Sequence, residues 1–335
     1  MNDPVRVDGV ARAAAIADEV LFPAALQVDV AEAVPRSHLD LLAAEGLYGL
    51  AGPVEYGGLG LEFDQACQVI EHLASGCLAT AFVWLQHHST VLSLTYGDNA
   101  PQRERWLARL CSGEVRSGIA FNGVRPGASP VHAKAADDGY VLDGETDWVT
   151  GWGMIDLLQV AAFDENGDVL YCLVDPVDSP SLHASALDLI AGRASRTVRL
   201  GFTSHPVPAD RVLGIHPTSP AGAVDTQALR VNASLGLGVA SRCIEMLGAS
   251  PLTDEFAARR SELDSATDDT ISTACAAALE LAMRAATALF TATGSRSVLP
   301  EMHAGRLARE ALLLLVFASR PAVKHALLDR LTHAQ

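Results

Sequence analysis

The chain has 335 residues, 49% of them hydrophobic, and 24 basic against 40 acidic residues, a net charge of −16. This length allows about two domains, or one tightly joined multi-lobed unit, with ample apolar content for a large core. The acidic balance argues against nucleic acid or an anionic membrane as the main partner, while leaving room for a local basic pocket.

Six scattered cysteines (Cys67, Cys77, Cys111, Cys172, Cys243, Cys275) form no C-x-x-C pair, and eleven histidines show no H-E-x-x-H spacing. Reduced, buried thiols and no metal site are expected. The start, Met1-Asn2-Asp3-Pro4, lacks the basic-then-apolar layout of a signal peptide. The longest strongly apolar run, 311–318, is far short of a membrane span, so a cytoplasmic location is expected.

In chain order, residues 11–32 are Ala-rich with helical spacing, and Ser37 is a candidate N-cap for a second helix ending near Gly46. A Gly-rich loop over 51–60 precedes helices at 62–75 and 77–96. A further helix has Pro101 near its start and Gly113 after its end.

The pattern then changes. Residues 131–135 alternate, Asp138-Gly139 signals a hairpin, and 140–143 continue as strand. Residues 157–163 and 169–174 read as partner strands around Asn166-Gly167, and 197–202 alternate cleanly. Pro206, Pro208, Pro217 and Pro220 read as a closing loop. Helical periodicity returns at 224–248, 252–266, 270–292, 301–318 and 321–333. The expected architecture is α+β: an N-terminal helical domain (1–113), a middle β domain (114–216) and a C-terminal helical bundle (217–335).

The stretch Gly144-Glu145-Thr146-Asp147-Trp148-Val149-Thr150-Gly151-Trp152-Gly153 holds two of the four tryptophans. A Trp beside a hydroxyl and free backbone groups suits a flat, polar-edged ligand such as a flavin. A Trp-anchored hairpin in a β core is the other reading of these ten residues.

Further segments come in a fixed order: 46–50, then Glu55-Tyr56-Gly57-Gly58-Leu59-Gly60-Leu61, then Pro126-Gly127-Ala128, Trp148-Val149-Thr150, and Arg306-Leu307-Ala308-Arg309-Glu310-Ala311. In that order and spacing the chain resembles the acyl-CoA dehydrogenase family, from about residue 11 to 331. The resemblance implies the family fold and FAD between the β domain and the C-terminal bundle. It implies that Trp148, Val149 and Thr150 pack on the isoalloxazine, with the Thr hydroxyl reaching N5. Backbone groups of Phe121, Gly123 and Val124 would face the pyrimidine edge, and Ser129 survives from the family's upstream flavin strand.

The chain departs from the family in three places. Val124 stands where the family has a hydroxyl-bearing Thr. The family's Arg-x-x-Phe-Gly is missing, because the chain has no Phe-Gly dipeptide. The two seats of the family's catalytic Glu, which takes the proton α to the thioester carbonyl, fall on Ala318 and Leu229. His88, in Gln86-His87-His88-Ser89, is the substitute candidate, with a pKa suited to proton transfer near neutrality. Arg230, Arg309, Glu245, Glu280 and Glu301 read as packing or surface charges.

Three functions follow from the resemblance. One is an FAD-dependent dehydrogenase forming an α,β-unsaturated thioester from acyl-CoA or an acyl-carrier thioester. A second is a non-catalytic subunit of a heterotetramer with a Glu-bearing homologue, and a third is a flavin monooxygenase on the same fold. Apolar residues on nearly every face of 307–317 point to a homo-oligomer or heteromer built through the bundle.

Overall fold

The computed structural model describes residues 4–125, 127–218, 224–317 and 320–333. The chain opens with α1 (Pro4–Ile16), runs through a π-helical turn (Ala17–Leu21) and continues as α2 (Phe22–Val30). The expected helix over 11–32 is therefore real but underwound in the middle. Next come α3 (Arg36–Ala44), α4 (Phe63–Gly76), α5 (Leu78–Tyr96) and α6 (Ala100–Cys111). Ser37 does not cap α3. The helix starts at Arg36 with Pro35 in the N-cap position, so Ser37 already lies inside the first turn, and no side-chain hydrogen bond caps it.

The sheet follows as β1 (Ser117–Ala120), β2 (Val131–Ala136), β3 (Gly139–Val149), β4 (Leu157–Phe163), β5 (Val169–Val174), β6 (Leu182–Ala186), β7 (Val198–Pro208) and β8 (Val212–His216). They form one sheet in the order β6-β7-β3-β2-β4-β5-β8, with β1 pairing β4 in parallel. Three strands, β1, β6 and β8, carry no alternation long enough to read in the sequence. Pro206 and Pro208 lie in β7 rather than in a loop. β6 covers β7 only over Val198 to Phe202, so the half with both prolines is an edge, where a missing N–H costs no ladder bond.

The bundle consists of α7 (Thr226–Leu247), α8 (Leu252–Asp264), α9 (Ile271–Thr293), α10 (His303–Val316) and α11 (Pro321–Thr332). α9 is longer and more evenly apolar than the 311–318 run. It is the one helix among the described residues long and apolar enough to cross a membrane, and 61% of its apolar window is buried. Its neighbours α7, α8, α10 and α11 cover it. Ala274, Ala278, Ala282, Ala285 and Ala286 let those helices approach closely.

The helices from the two ends of the chain share one core. Leu21, Leu39, Leu73 and Trp84 pack in the same cluster as Leu235, Val239, Leu307 and Leu314. α7 lies directly against α4, where Gly238 leaves room for the Glu71 carbonyl, 2.4 Å from where a Cβ would stand. Ion pairs fasten this contact. Arg230 on α7 reaches Glu71 on α4 at 3.1 Å and Asp264 on α8 at 2.7 Å. Arg309 on α10 pairs with Asp29 on α2. Both arginines thus hold helices together. The sheet has a core of its own around Val131, Leu142, Val149, Val160, Leu170 and Leu200.

Candidate functional site

β3 ends in a bulge. Its register against β7 shifts between Thr146 and Val149, and inside that shift Trp148 has φ 67. A bulky residue in the left-handed region carries strain of roughly 1–3 kcal/mol, and such strain clusters at ligand sites. A bulge also re-aims a side chain. Here the indole of Trp148 is 58% exposed, while Val149 is fully buried and Thr150 is 2% exposed. Arg199 donates to Asp147 at 2.6 Å and pins the bulge from the neighbouring strand.

Below the indole the chain turns through Gly151, at φ 92. The Gly151 N–H donates to Ser195 O at 2.8 Å and the Trp152 N–H to Arg196 O at 3.3 Å. The Thr150 hydroxyl lies 3.1 Å from that of Thr197, which lies 2.8 Å from Ser195 Oγ. All three residues are buried, so the hydroxyls satisfy one another. Gly118 on β1 lets the Thr150 carbonyl approach, 3.2 Å from where a Cβ would stand. A Cβ on Gly151 would stand 3.6 Å from Val83 on α5, so the turn sits between sheet and helices.

β3 also contacts β1 and the short turn after it, Asn122–Val124. Phe121 is half-buried, its ring edge-on to Tyr171 at 5.4 Å. Gly123 is buried because Val131 leaves no space for a Cβ, and Val124 is half-buried. Ser129 is exposed beside Pro130, whose carbonyl crowds Gly144.

His88 sits elsewhere. It is 5% exposed, packed edge-on to Trp84 at 4.5 Å and to His87 at 5.3 Å, and neither ring nitrogen has a hydrogen-bond partner among the described residues. Burial, with His87 beside it, pushes its pKa well below the usual imidazole range. The expectation of a pKa suited to neutral proton transfer is corrected accordingly. His87 is held neutral too. Its Nδ1 accepts from Ser117 N at 3.1 Å, so Nε2 donates to Leu110 O at 3.1 Å, and burial pushes its pKa down to about 3.

Leu229, at one of the two Glu seats, is buried in α7, and its carbonyl lies 3.4 Å from Cys275 Sγ. Ala318 lies outside the described residues. The buried carboxylates Glu71 and Glu310 are committed to arginines, Glu71 to Arg230 and Arg260 and Glu310 to Arg306 at 2.7 Å, and half-buried Glu280 pairs with Arg284 and Arg330. Glu245 pairs with Arg242 at 2.8 Å near the surface, and Glu301 is exposed. All six cysteines are buried and unpaired.

Sequence reasoning missed Ser195, Thr197 and Gly118. Their link to Thr150 is made by β-sheet pairing and by a turn packed across it, which no local spacing reveals.

Residues 10–114 match the family model described as acyl-CoA dehydrogenase, N-terminal domain. The chain is 30% identical over 209 residues to the short-chain specific acyl-CoA dehydrogenase, mitochondrial, of Bos taurus, covering 59% of this chain and 50% of the relative. The chain thus spans about half the length of the curated relatives it matches. Butyryl-CoA dehydrogenase from Megasphaera elsdenii has the same fold, with a TM-score of 0.81 at 19% identity, covering 99% of both chains. So does a glutaryl-CoA dehydrogenase from Mycobacterium smegmatis solved in complex with FADH2, with a TM-score of 0.80 at 19% identity, covering 99% of this chain and 95% of that one.

A mixed eight-stranded sheet between two helical regions, with these neighbours, defines an acyl-CoA dehydrogenase fold. The N-terminal match and the curated relatives make the chain similar to the acyl-CoA dehydrogenase family over those residues, and the solved structures share its fold.

Proposed function

We propose that the chain binds FAD beside Trp148 and works as an acyl-CoA dehydrogenase-type oxidoreductase on an acyl-CoA or acyl-carrier thioester. The observation that carries this is Trp148: a strained, left-handed backbone holds a large apolar ring in the open, directly beside fully buried Val149. Folding alone gains nothing from that arrangement. A flat ring ligand stacking on the indole recovers the strain and the exposed apolar area.

The residues present fit such a group. The indole supplies a stacking face, the turn at Gly151 supplies close backbone, and the loop after β1 supplies backbone polar groups from Phe121, Gly123 and Val124. Bound FAD supplies a two-electron acceptor for the hydride leaving the β-carbon. The chain's part is to orient the ring and exclude water from it. Thr150 acts through its buried hydroxyl chain, which fixes the turn. Val149 anchors the bulge in the sheet core.

The proton acceptor is the open element. Every buried carboxylate named above is paired with arginine, and Leu229 has no acidic group. This favours assembly with a second, Glu-bearing homologue, through a bundle face where Leu312 and Val316 are exposed on α10.

Protein purified alone is expected to be yellow, and its flavin to bleach slowly with acyl-CoA under anaerobic conditions. A Glu-bearing partner, or Ala318→Glu, accelerates bleaching by roughly 10²–10⁴-fold, the usual contribution of a general base. Colourless protein that takes up no added FAD rejects the proposal. Fast bleaching by the isolated chain rejects only the partner.

A further inference from the structure

The helix α5 has three unlike sides. Val83, His87 and Thr90 face the sheet: a Cβ on Gly151 would stand 3.6 Å from Val83, Ser117 N donates to His87 Nδ1, and the Thr90 hydroxyl lies 2.8 Å from that of Ser117. Trp84, His88 and Val91 are buried on a second side. The third side carries Phe82, Gln86, Ser89 and Ser93, at i, i+4, i+7 and i+11, and each of them is half-buried. At one end of this stripe the Phe82 ring meets that of Phe317, the last residue of the α10 segment, edge-on at 4.7 Å. At the other end Ser93 Oγ accepts from Gln159 Nε2 on β4 at 2.8 Å.

The Phe82 end adjoins both reacting partners of the proposed chemistry. Val83 abuts the turn that follows Trp148 and Thr150, and Phe317 precedes Ala318, the expected seat of the proton acceptor. A thioester whose α- and β-carbons stand between those two places lays its acyl chain along this stripe. A plain fatty chain is met best by apolar side chains. Beyond Phe82 the stripe offers an amide and a hydroxyl instead. The mid-helix hydroxyls of Thr95 and Ser234 return to the carbonyl four residues earlier, at 2.8 and 3.2 Å. The Ser89 hydroxyl does not, and it has no hydrogen-bond partner among the described residues. Gln86 makes one long bond, from Nε2 to Phe82 O at 3.4 Å, and its Oε1 has no partner among the described residues. Hydrocarbon laid over these groups strips their water and leaves them unpaired, whereas a hydroxyl in the same place restores the bonds.

We propose that Gln86 and Ser89 select a hydroxylated acyl group, with its hydroxyl one to two helical turns, about 6–10 Å, beyond the Phe82 contact. The Gln86 oxygen accepts from that hydroxyl, and the Ser89 hydroxyl donates to it. Phe82, held against Phe317, is the apolar wall for the carbons nearest the thioester. The inference rests on the thioester dehydrogenase reading and names its substrate class.

Binding, measured by calorimetry on the full-length chain with FAD present, tests this without turnover. The probes are pantetheine thioesters, since coenzyme A and carrier proteins share that arm: 6-hydroxyhexanoyl-pantetheine and its isostere heptanoyl-pantetheine. Wild type should bind the hydroxylated probe roughly tenfold or more tightly than the isostere. Gln86→Leu and Ser89→Ala, with circular dichroism as the folding control, should each cut that preference roughly three- to tenfold. Neither change should weaken the heptanoyl probe, which separates lost selection from a damaged helix. Equal binding of the two probes by wild type, or variants that keep the full preference, overturns the proposal and leaves the thioester reading standing. Wild type that binds neither probe overturns both.

Discussion

The hydroxyls of Thr150 and Thr197 lie 3.1 Å apart in a fully buried position, 47 residues apart in sequence. Thr197 is the middle member of a chain of three, with Ser195 on its other side at 2.8 Å. Removing the middle strands two hydroxyls, and removing an end strands none. Thr197→Val is therefore expected to cost about 1–3 kcal/mol and Thr150→Val about 0.5–1.5 kcal/mol. Urea denaturation measures both, and the reverse order would show that the chain of hydroxyls does not set the turn.

Trp148 is expected to separate stability from binding. Glycine adopts φ 67 without strain, so Trp148→Gly should leave stability unchanged or raise it by up to about 1 kcal/mol. The same change removes the stacking face and should weaken flavin binding by at least tenfold. Thermal unfolding and flavin fluorescence read the two effects independently. A loss of more than about 2 kcal/mol with flavin binding intact would make the tryptophan a structural anchor.

The two buried histidines on α5 predict an acid limb. Burial lowers the pKa of His87 to about 3 and that of His88 in the same direction. In the unfolded chain both return to about 6.5. Below that pH the unfolded state binds protons that the folded state refuses, so stability falls as pH drops from about 6.5 towards 3. The slope reaches up to roughly 1.4 kcal/mol per pH unit for each histidine. His88→Phe should remove about one proton from the slope without lowering stability at pH 8, since no hydrogen bond is lost. His87→Phe should flatten the slope as well, but it breaks the bonds to Ser117 and Leu110 and destabilises at every pH.

Arg306 and Glu310 form a buried pair one turn apart on α10, with Arg306 only 1% exposed. Glu310→Ala leaves a buried cation alone and should cost about 3–5 kcal/mol. Arg306→Met combined with Glu310→Leu removes both charges and should recover most of that loss. Calorimetric melting of the single and double variants decides. A double variant as unstable as the single would mean that the site needs polar groups for another reason.

Much of the helical frame is legible in the sequence, because helix periodicity and caps are local. The spans expected at 62–75, 77–96 and 252–266 fall within two residues of α4, α5 and α8. The strands at 157–163 and 169–174 agree with β4 and β5, since a Gly turn sets their register. The Trp148-Val149-Thr150 stretch stands out by composition alone. Tertiary structure decides the rest. It sets φ 67 at Trp148, because the bulge arises from pairing with β7, a strand whose nearest residue, Val198, is 50 positions away. It turns His88 from an expected proton carrier into a packed neutral ring, because desolvation depends on Trp84 and the helices around it. It joins the two helical ends of the chain into one core. Local sequence encodes which element forms. The charge state, strain and company of a side chain depend on contacts that exist only after distant segments have packed.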